Sequence, residues 1–430
     1  MDILIKGGRI VDPSQDFDCI ADLGINMGKI VACGSGIKEK ANKVVDATGL
    51  IVVPGLIDMH VHFREPGMEE KETIYTGMRA AAKGGFSSVA TMPNTKPATD
   101  NEGIVKYILT KTAEKPLINV FPVAAATLAR DGKQMTEIGE LKKAGAVALS
   151  DDGDCITNSA LLRRILEYAG SLDMPVLEHC EDPVLSGQGV MNESIMSTIL
   201  GLKGIPAASE VVMVARDLTL CKMTGSRLHI QHVSSAGSVE LIRWAKSKGV
   251  PVTAETAPHY LVLTDDDLHS YSTMLKVKPP IGSKHDREEL IKAVKDGTID
   301  AIASDHAPHL HAEKDVEFDY APFGMIGLES SIPLIMETLI NPGILDFKDL
   351  VRLMSLNPAN ILGLKGKGSL KRGADGDVTL IDPEKEVVLT KDYFESKSIN
   401  TPFLNWKCKG APTSLFVSGK QILKDEKIIG

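Results

Sequence analysis

The 430-residue sequence lacks the marks of several protein classes. No apolar run reaches the roughly 18 residues that a membrane-spanning helix needs, and residues 1–30 lack a signal-peptide pattern. No block of Lys and Arg stands out, and the net charge is −9. These absences argue against nucleic-acid and membrane partners, and we expect a cytoplasmic protein.

Two chemical motifs are also missing. The six cysteines are scattered without a Cys-x-x-Cys pair, which indicates reduced thiols rather than a disulfide framework. No Gly-x-Gly-x-x-Gly opens a predicted helix, so we do not expect a dinucleotide site.

The two ends of the chain resemble each other and differ from the middle. Both ends read as short strands bounded by Gly, Asp or Pro, at 2–5, 23–25, 30–33, 43–46, 378–381, 386–389 and 414–417. This pattern predicts one small β-sandwich domain built from residues 1–54 and 366–430.

The middle of the chain, residues 55–365, alternates between short apolar strands and amphipathic helices. The predicted strands are 56–63, 86–92, 119–124, 146–150, 175–179, 227–233, 251–255 and 300–304. The clearest helices are 74–83, 159–171, 208–223, 238–248 and 287–295. Eight such strands favour an α/β fold of the (β/α)₈ TIM-barrel type, with an open doubly wound sheet as the alternative.

The first barrel strand carries the sharpest chemical signal, in the stretch Asp58-Met59-His60-Val61-His62-Phe63-Arg64. Side chains alternate along a strand, so Asp58, His60, His62 and Arg64 would face the barrel interior while the apolar residues pack beneath helices. Buried polar groups are costly unless something binds them, and two imidazoles at i and i+2 can converge on one metal ion. A polar edge strand with surface histidines is the competing interpretation.

Other metal-type side chains stand where later strands end. His179, His232 and Asp305 close the fifth, sixth and eighth predicted strands. A single histidine at a strand end is more often a hydrogen-bonded core residue. Together with His60 and His62, however, these residues form a set at the end of the barrel where active sites lie.

The fourth strand adds a carboxylate. Asp152 shares its register with Ala148 and Ser150, so it would face the barrel mouth and could bridge two divalent ions. Asp151 shares the opposite register and would serve the turn that follows.

These motifs resemble the amidohydrolase superfamily and, within it, the class I dihydroorotases, over essentially the whole chain. The shared stretches are Asp58 to Gly67, Met92-Pro93-Asn94-Thr95, Asp151-Asp152-Gly153, His179-Cys180-Glu181, His232-Val233-Ser234, Ser304 to His309, Ala321-Pro322-Phe323-Gly324 and Asn400-Thr401-Pro402-Phe403. The resemblance implies reversible, zinc-dependent cyclisation of N-carbamoyl-L-aspartate to L-dihydroorotate, a step of pyrimidine biosynthesis.

The resemblance also implies a site with two zinc ions. His60, His62 and Asp305 would hold one ion, His179 and His232 the other, and Asp152 would bridge them. Many relatives use a carboxylated lysine as the bridge. Residues 144–153 of this chain contain no lysine, which favours the dihydroorotase pattern. Zinc would polarise the scissile carbonyl and acidify water. Asp305 would accept the proton of the attacking water and pass it to the departing ring nitrogen.

The substrate-binding residues follow from the same resemblance. Arg64 can grip the substrate carboxylate with two hydrogen bonds, although a salt bridge with Glu65 or Glu69 is the competing interpretation. Asn94, His309, Phe323 and Gly324 would line the same pocket. The family pattern has Asn and Arg where this chain has Lys278 and Gly282, so Lys278 would meet an anionic or imide group or else mark a changed substrate.

Three alternatives to this function remain. An allantoinase or hydantoinase would hydrolyse another cyclic amide, and Arg64 and the missing bridge lysine argue against it. A non-catalytic dihydroorotase-like partner of aspartate transcarbamoylase would be free to lose metal ligands, whereas this chain keeps all six. A zinc-activated phosphoesterase is the third. The resemblance further suggests a homodimer, with association with a transcarbamoylase as an option. For His259 the sequence is equally consistent with substrate contact and with a structural hydrogen bond.

Overall fold

The computed structural model describes residues 1–429, and its centre is a sheet of eight parallel strands. In chain order these are β6 Leu56–Val61, β7 Phe86–Thr91, β8 Asn119–Ala124, β9 Ala148–Leu149, β10 Val176–Glu178, β13 Leu228–Ile230, β14 Val252–Thr256 and β15 Ala301–Ile302. A separate short pair, β11 Met191–Asn192 and β12 Gly204–Ile205, lies between β10 and β13.

The barrel closes between its last and first strands. The His62 amide donates to the His306 carbonyl at 2.8 Å, and Val61 pairs with His306 in parallel register. The buried Asp58 carboxylate accepts from the Ser304 amide, which ties the two strands together beneath the site. The predicted (β/α)₈ barrel is therefore confirmed.

Helices follow most barrel strands and cover the outside of the barrel. They are α1 Ile74–Lys83, α2 Glu102–Glu114, α3 Ile138–Ala144, α4 Ser159–Ser171, α5 Pro183–Ser186, α6 Ile195–Leu200, α7 Ala208–Thr224, α8 Ala236–Ser247, α9 Pro258–Val262, α10 Lys284–Asp296, α11 His311–Lys314, α12 Leu328–Ile335, α13 Phe347–Val351 and α14 Asn357–Ile361. Met336–Ile340 and Arg352–Leu356 are π-helical, and short 3₁₀ turns occupy Pro13–Gln15, Leu128–Arg130, Asp265–Ser270, Thr273–Leu275 and Lys391–Tyr393.

Local sequence signals account for the ends of these helices. In α10, Ser283 and Asp286 cap each other reciprocally at the start, and Gly297 ends the helix with φ at 82°. In α1, Thr73 and Thr76 form the same kind of reciprocal cap. Such caps satisfy amide groups that have no partner within the helix.

The two ends of the chain pair into one nine-stranded sheet. Its strands are β1 Ile3–Asp12, β2 Phe17–Asn26, β3 Lys29–Gly34, β4 Lys43–Asp46, β5 Ile51–Pro54, β16 Val378–Val388, β17 Lys407–Val417, β18 Lys420–Lys424 and β19 Lys427–Ile428. The junction is the antiparallel pair β5 and β16, which joins the N-terminal strands to the C-terminal ones. The bounds of the two domains, 1–54 with 366–430 and 55–365, stay a prediction.

One strand of this sheet is longer than predicted. β16 is continuous where two strands were expected, because a register irregularity between Asp382 and Glu386 interrupts the pairing without ending the strand.

The barrel interior is a separate apolar cluster below the site. Ala90, Val123, Ala148 and Leu177, from four different strands, meet there with Met59. The sequence pattern instead placed Met59 beneath the outer helices. The register of β6 against β7 shifts between Asp58 and Val61, and this irregularity breaks the strict alternation that the prediction assumed.

The sequence predicts neither a membrane-spanning helix nor disulfide bonds. Within residues 1–429, no helix has the length and apolar character that crossing a membrane would require. All six cysteines are free thiols.

Candidate active site

Six potential metal ligands converge at the carboxyl ends of the barrel strands. His60 lies on β6 and His62 directly after it, while Asp152, His179, His232 and Asp305 follow β9, β10, β13 and β15. All six residues are buried. Because parallel strands end at the same rim of the barrel, side chains far apart in the sequence meet there.

One group of ligands consists of His60, His62 and Asp305, whose ligand atoms all lie within 4.8 Å of one another. The Asp305 Oδ1 atom is 3.0 Å from His62 Nε2 and 3.5 Å from His60 Nε2. The resemblance predicts this set for the first ion.

A second group consists of His60, Asp152 and His232. Asp152 lies between the two groups, with Oδ2 at 3.4 Å from both His60 Nε2 and His62 Nε2, and Oδ1 at 3.4 Å from His232 Nε2. His179 Nδ1 is 2.8 Å from His232 Nε2 and 3.7 Å from Asp152 Oδ1. The geometry thus brings His179 and His232 together beside a carboxylate that faces both groups.

Neighbouring acceptors fix the orientation of three imidazole rings. His60 Nδ1 lies 2.6 Å from the Glu255 carboxylate, and His62 Nδ1 lies 2.8 Å from the Asn94 amide oxygen. A proton on each Nδ1, donated to these acceptors, leaves the Nε2 lone pair facing the cluster. His179 is reversed: its Nε2 lies 3.0 Å from Glu181, so its Nδ1 faces the cluster.

The cluster has the chemistry of a cation site. His60 Nε2 and Asp152 Oδ1 are buried without a hydrogen-bond partner, although both point into the cluster. Burial by itself would lower the pKa of His60, but Asp152, Asp305 and Glu255 raise it well above its ordinary value. Burial would likewise raise the pKa of Asp152, but His60 and His232 hold it well below its ordinary range. These residues therefore fit a divalent cation bound by imidazole and carboxylate ligands.

The backbone is strained at two of these positions. His232 has φ at 34° and Asp305 has φ at 49°, in the left-handed region that residues with a side chain rarely adopt. Each such conformation costs about 1–3 kcal/mol and typically persists where the surrounding structure enforces it at a functional site. In this chain the strain turns both side chains from the strand ends toward the cluster.

A cleft of about 380 Å³ opens above the cluster, and every predicted site residue except His60 lines it. His60 lies below the floor of the cleft and is fully buried.

Arg64 is buried in the wall of the cleft opposite the metal-ligand cluster, where its Nε donates to the Pro308 carbonyl at 3.1 Å. Burial lowers the pKa of Arg64 to about 10, so the guanidinium remains charged at neutral pH. No ion pair with Glu65 or Glu69 forms within residues 1–429; Glu65 instead accepts from Tyr107.

His309, Phe323 and Gly324 belong to the same wall as Arg64. The His309 Nε2–H donates to the Phe323 carbonyl at 2.8 Å, and Arg64 Nη2 lies 3.5 Å from that nitrogen. Gly324 has φ at 131°, and an added Cβ would lie 2.8 Å from the Ala307 Cβ. Only glycine allows the chain to pass this closely over the cleft.

Lys278 projects from the wall toward the metal-ligand cluster. Its Nζ is 2.9 Å from Glu181 Oε1 and 5.5 Å from the centre of the Phe323 ring. Burial opposes ionisation of Glu181, but the hydrogen bond from His179 and the charge of Lys278 lower the pKa of Glu181 to about 2.

Two buried lysines support the segment that carries Phe323. Lys276 Nζ donates to the carbonyls of Phe318 and Asp319, at 2.8 and 3.0 Å. Lys314 Nζ donates to the carbonyls of Pro322, Thr273 and Lys276, at 2.7, 3.1 and 3.3 Å. With Arg64 and Lys278, the wall opposite the ligands therefore contains four basic side chains.

Sequence reasoning missed the residues that orient the ligands. Glu255 lies one residue before the end of β14, with its carboxylate on both His60 and His229. Gln231 contacts Ser150 and His60. The available signal for Glu255 was that it is the one charged residue in β14. For Glu181, the signal was its position two residues after His179.

Three further residues near the cluster are Asp151, His259 and Cys180. The Asp151 carboxylate accepts from the Ala126 and Thr127 amides, away from the cluster. His259 is buried at the start of α9 beside Tyr260, and burial lowers its pKa to about 4. Cys180 donates to Asp217, and burial raises the pKa of its thiol well above the ordinary value, which makes it a poor nucleophile.

Comparisons with known proteins agree with this architecture. A family model described as dihydro-orotase-like matches residues 49–238. The dihydroorotase of Pelotomaculum thermopropionicum is 51% identical over 428 residues and covers 100% of both chains. That of Geotalea daltonii is 52% identical over 425 residues, covering 99% of this chain and 100% of its own.

Solved structures show the same fold at lower identity. The L-hydantoinase (dihydropyrimidinase) of Arthrobacter aurescens superposes with a TM-score of 0.90 at 25% identity, covering 100% of this chain and 97% of its own. A dihydropyrimidinase of Brevibacillus agri gives 0.86 at 24% identity, with 100% and 96% covered. With identity near 50% over its whole length to dihydroorotases, the chain belongs to the dihydroorotase family of cyclic amidohydrolases.

Proposed function

We propose that the chain catalyses the reversible, zinc-dependent interconversion of N-carbamoyl-L-aspartate and L-dihydroorotate. The observation that carries this proposal is the pairing of six convergent metal-type ligands with a buried, charged Arg64 across one cleft. The substrate offers complementary groups, since it has a reacting amide or carboxyl carbon and a separate carboxylate.

We assign His60, His62 and Asp305 to one zinc ion, His179 and His232 to a second, and Asp152 to both. The group of His60, His62 and Asp305 supports the first assignment. The 2.8 Å contact between His179 Nδ1 and His232 Nε2 supports pairing these two rings at a second ion. The oxygens of Asp152, at 3.4 Å from His60, His62 and His232, support a carboxylate shared by both ions. When bound, zinc supplies Lewis-acid polarisation of the carbonyl and activation of water near neutral pH.

Asp305 is the proposed general base and acid. Its carboxylate faces the cleft, and the neighbouring His60 and His62 hold its pKa below the ordinary value against the opposing effect of burial. In hydrolysis it accepts a proton from the attacking water. It then delivers that proton to the ring nitrogen as the C–N bond breaks. Cyclisation runs the same transfers in reverse.

The opposite wall binds and orients the substrate carboxylate. Arg64 presents its guanidinium to the cleft while its Nε is held by the Pro308 carbonyl, so little ordering remains to be done on binding. The side-chain nitrogen of Asn94 remains available, because its oxygen faces His62. We place His309, Phe323, Gly324 and Lys278 around the rest of the ring.

Hydrolysis of dihydroorotate, hydantoin and allantoin, with metal analysis of the same sample, tests this function. We expect dihydroorotate to be strongly preferred and zinc to be bound. Preference for hydantoin or allantoin would move the substrate to another cyclic amide. Bound zinc without turnover of any of the three would indicate a non-catalytic partner or a different hydrolase.

We further propose that the protein acts in the cytoplasm as a homodimer. The family resemblance supports this assembly and leaves association with an aspartate transcarbamoylase as an option. Sedimentation of the purified chain, alone and with a transcarbamoylase, separates these states, and a monomer under both conditions would contradict the proposal.

A further inference from the structure

Lys278 and Glu181 form a bridge between the substrate cleft and a candidate metal ligand. The Glu181 carboxylate contacts His179 Nε2 through one oxygen, at 3.0 Å, and Lys278 Nζ through the other, at 2.9 Å. Two residues thus connect the wall that faces the substrate with the ring of His179.

Glu181 is a buried carboxylate whose charged partners are His179 and Lys278. It is 8% exposed, which is an expensive position for a carboxylate unless it is paired. Its Oε1 has no hydrogen-bond partner, so the contact with Lys278 is an ion pair without the alignment of a hydrogen bond. The carboxylate therefore accepts a hydrogen bond from His179 and forms an ion pair with Lys278.

The hydrogen bond to Glu181 determines which nitrogen of His179 faces the cluster. With the proton on Nε2, the Nδ1 lone pair points toward the position shared with His232 Nε2, 2.8 Å away. Without an acceptor at Nε2, the ring could turn or take the other tautomer, and a metal ion would lose a correctly aimed ligand.

Lys278 occupies the other end of the bridge. Its side chain is 32% exposed and lines the cleft with Arg64 and Phe323. An ammonium group held by an unaligned ion pair can share its charge with an anionic ligand in the cleft. The cleft thus contains a cation in addition to Arg64, on the side nearer the metal-ligand cluster.

We propose that Glu181 is a positioning residue for His179, and that Lys278 both supports Glu181 and contributes to recognition of an anionic substrate. The second part rests on the function proposed above, whereas the first part does not. Zinc affinity and substrate affinity therefore report on the two ends of the bridge separately.

The first experiment measures zinc affinity without substrate, by competition with a chelator, in Glu181→Ala, Glu181→Gln and the unsubstituted chain. We expect Glu181→Ala to weaken the affinity for one zinc ion about 10- to 100-fold, the usual effect of removing a partner of a metal ligand. Glu181→Gln keeps an oxygen acceptor for His179 and should restore most of the affinity. Unchanged affinity in Glu181→Ala, with the fold verified by circular dichroism, would overturn the positioning role.

The second experiment tests Lys278 with kinetics and a double-mutant cycle. Lys278→Met should raise KM for dihydroorotate about tenfold with a smaller change in kcat, because one charge-assisted contact is lost. It should also weaken zinc binding a few-fold, but only when Glu181 is present, since coupled residues are non-additive. Lys106→Met is the matched control, because it breaks an exposed ion pair with Glu102 on α2.

The outcomes distinguish this inference from the proposed function. If the unsubstituted chain hydrolyses no dihydroorotate but Glu181→Ala still weakens zinc binding, the function fails and the positioning role stands. An unchanged KM in Lys278→Met, in a chain that does hydrolyse dihydroorotate, would overturn the recognition role of Lys278. Equal loss of zinc affinity on substituting Lys278 with and without Glu181 would overturn the bridge.

Discussion

The two walls of the cleft are built from opposite charges. One wall carries Asp152, Asp305 and Glu181, with Glu255 behind them, around four imidazole rings. The other carries Arg64 and Lys278, with Lys276 and Lys314 buried behind Phe323. Uncompensated charge of one sign is costly inside a protein, so each wall predicts a ligand of the opposite sign.

The walls also differ in how their groups are held. On the acidic wall, side chains orient side chains, as Glu255 orients His60 and Asn94 orients His62. On the basic wall, charged groups are held by backbone carbonyls, as Pro308 holds Arg64 and Pro322 holds Lys314. The acidic wall therefore fixes atoms for chemistry, and the basic wall shapes a pocket. Substitutions on the two walls should change different parameters.

The largest effect on activity is expected from substitutions at the centre of the acidic wall. Asp305→Ala should lower kcat by at least about 10²–10⁴-fold, the usual contribution of a general acid–base group. His60→Ala should abolish turnover by removing a ligand that the first proposed zinc ion shares with His62 and Asp305. Steady-state kinetics, with circular dichroism to verify the fold, provide the check. Retained activity in both variants would remove this site assignment.

The next effect concerns a residue that orients a ligand without facing the cleft. Glu255→Ala should weaken zinc binding about 10- to 100-fold, because His60 loses the acceptor for its Nδ1 proton. Activity at low zinc should fall and should recover as zinc is added. Glu289→Ala removes a half-buried carboxylate of α10 that pairs with Lys292, outside the ligand cluster, and serves as control. Equal zinc dependence in both variants would show that Glu255 is merely structural.

On the basic wall, Arg64→Met should act mainly on substrate capture. We expect KM for dihydroorotate to rise about 10- to 100-fold, since a charge-assisted contact is worth about 1.5–3 kcal/mol, while zinc content stays unchanged. Kinetics and metal analysis on the same preparation measure both quantities. A normal KM, or loss of zinc, would contradict the separate roles of the two walls in substrate capture and metal binding.

The smallest effect on activity is expected behind the basic wall, where a substitution should instead change the pH dependence of stability. Burial, with a further contribution from Lys276, lowers the pKa of Lys314 from 10.5 to about 7. Between these values the unfolded chain binds a proton that the folded chain does not, so this lysine makes the free energy of unfolding rise with pH. Lys314→Met should flatten that rise between about pH 7 and pH 10.

Urea unfolding across that pH range measures the effect of Lys314. Lys292→Met, in an exposed ion pair with Glu289, is the control and should leave the slope unchanged. Parallel curves for the unsubstituted chain and Lys314→Met would show that Lys314 keeps an ordinary pKa in the fold.

Much of the barrel was predictable because its signals are local. The strands 56–61, 119–124 and 252–256 match predicted strands to within two residues at each end. Helices such as 74–83 and 159–171 begin directly after clear capping residues. The strand ends of the barrel then brought the predicted ligands together, because parallel strands share one rim.

The parts that could not be predicted depend on distant partners. Glu255 meets His60 across 195 positions in the sequence, and Lys314 donates to three carbonyls of two separate segments. Met59 lies inside the barrel because β6 shifts register against β7, which no local pattern reveals. Such contacts follow from the packed fold rather than from residue spacing.

The most direct test of the account is to remove metal from the protein and restore it. Chelation should abolish dihydroorotate hydrolysis, and titration with zinc should restore it as two ions bind per chain. In Asp152→Ala, the carboxylate placed between the two ligand groups is lost, and we expect fewer than two ions to bind tightly. Full activity of the metal-free protein, or two tightly held ions in Asp152→Ala, would contradict the assignment of the acidic wall as a two-metal site.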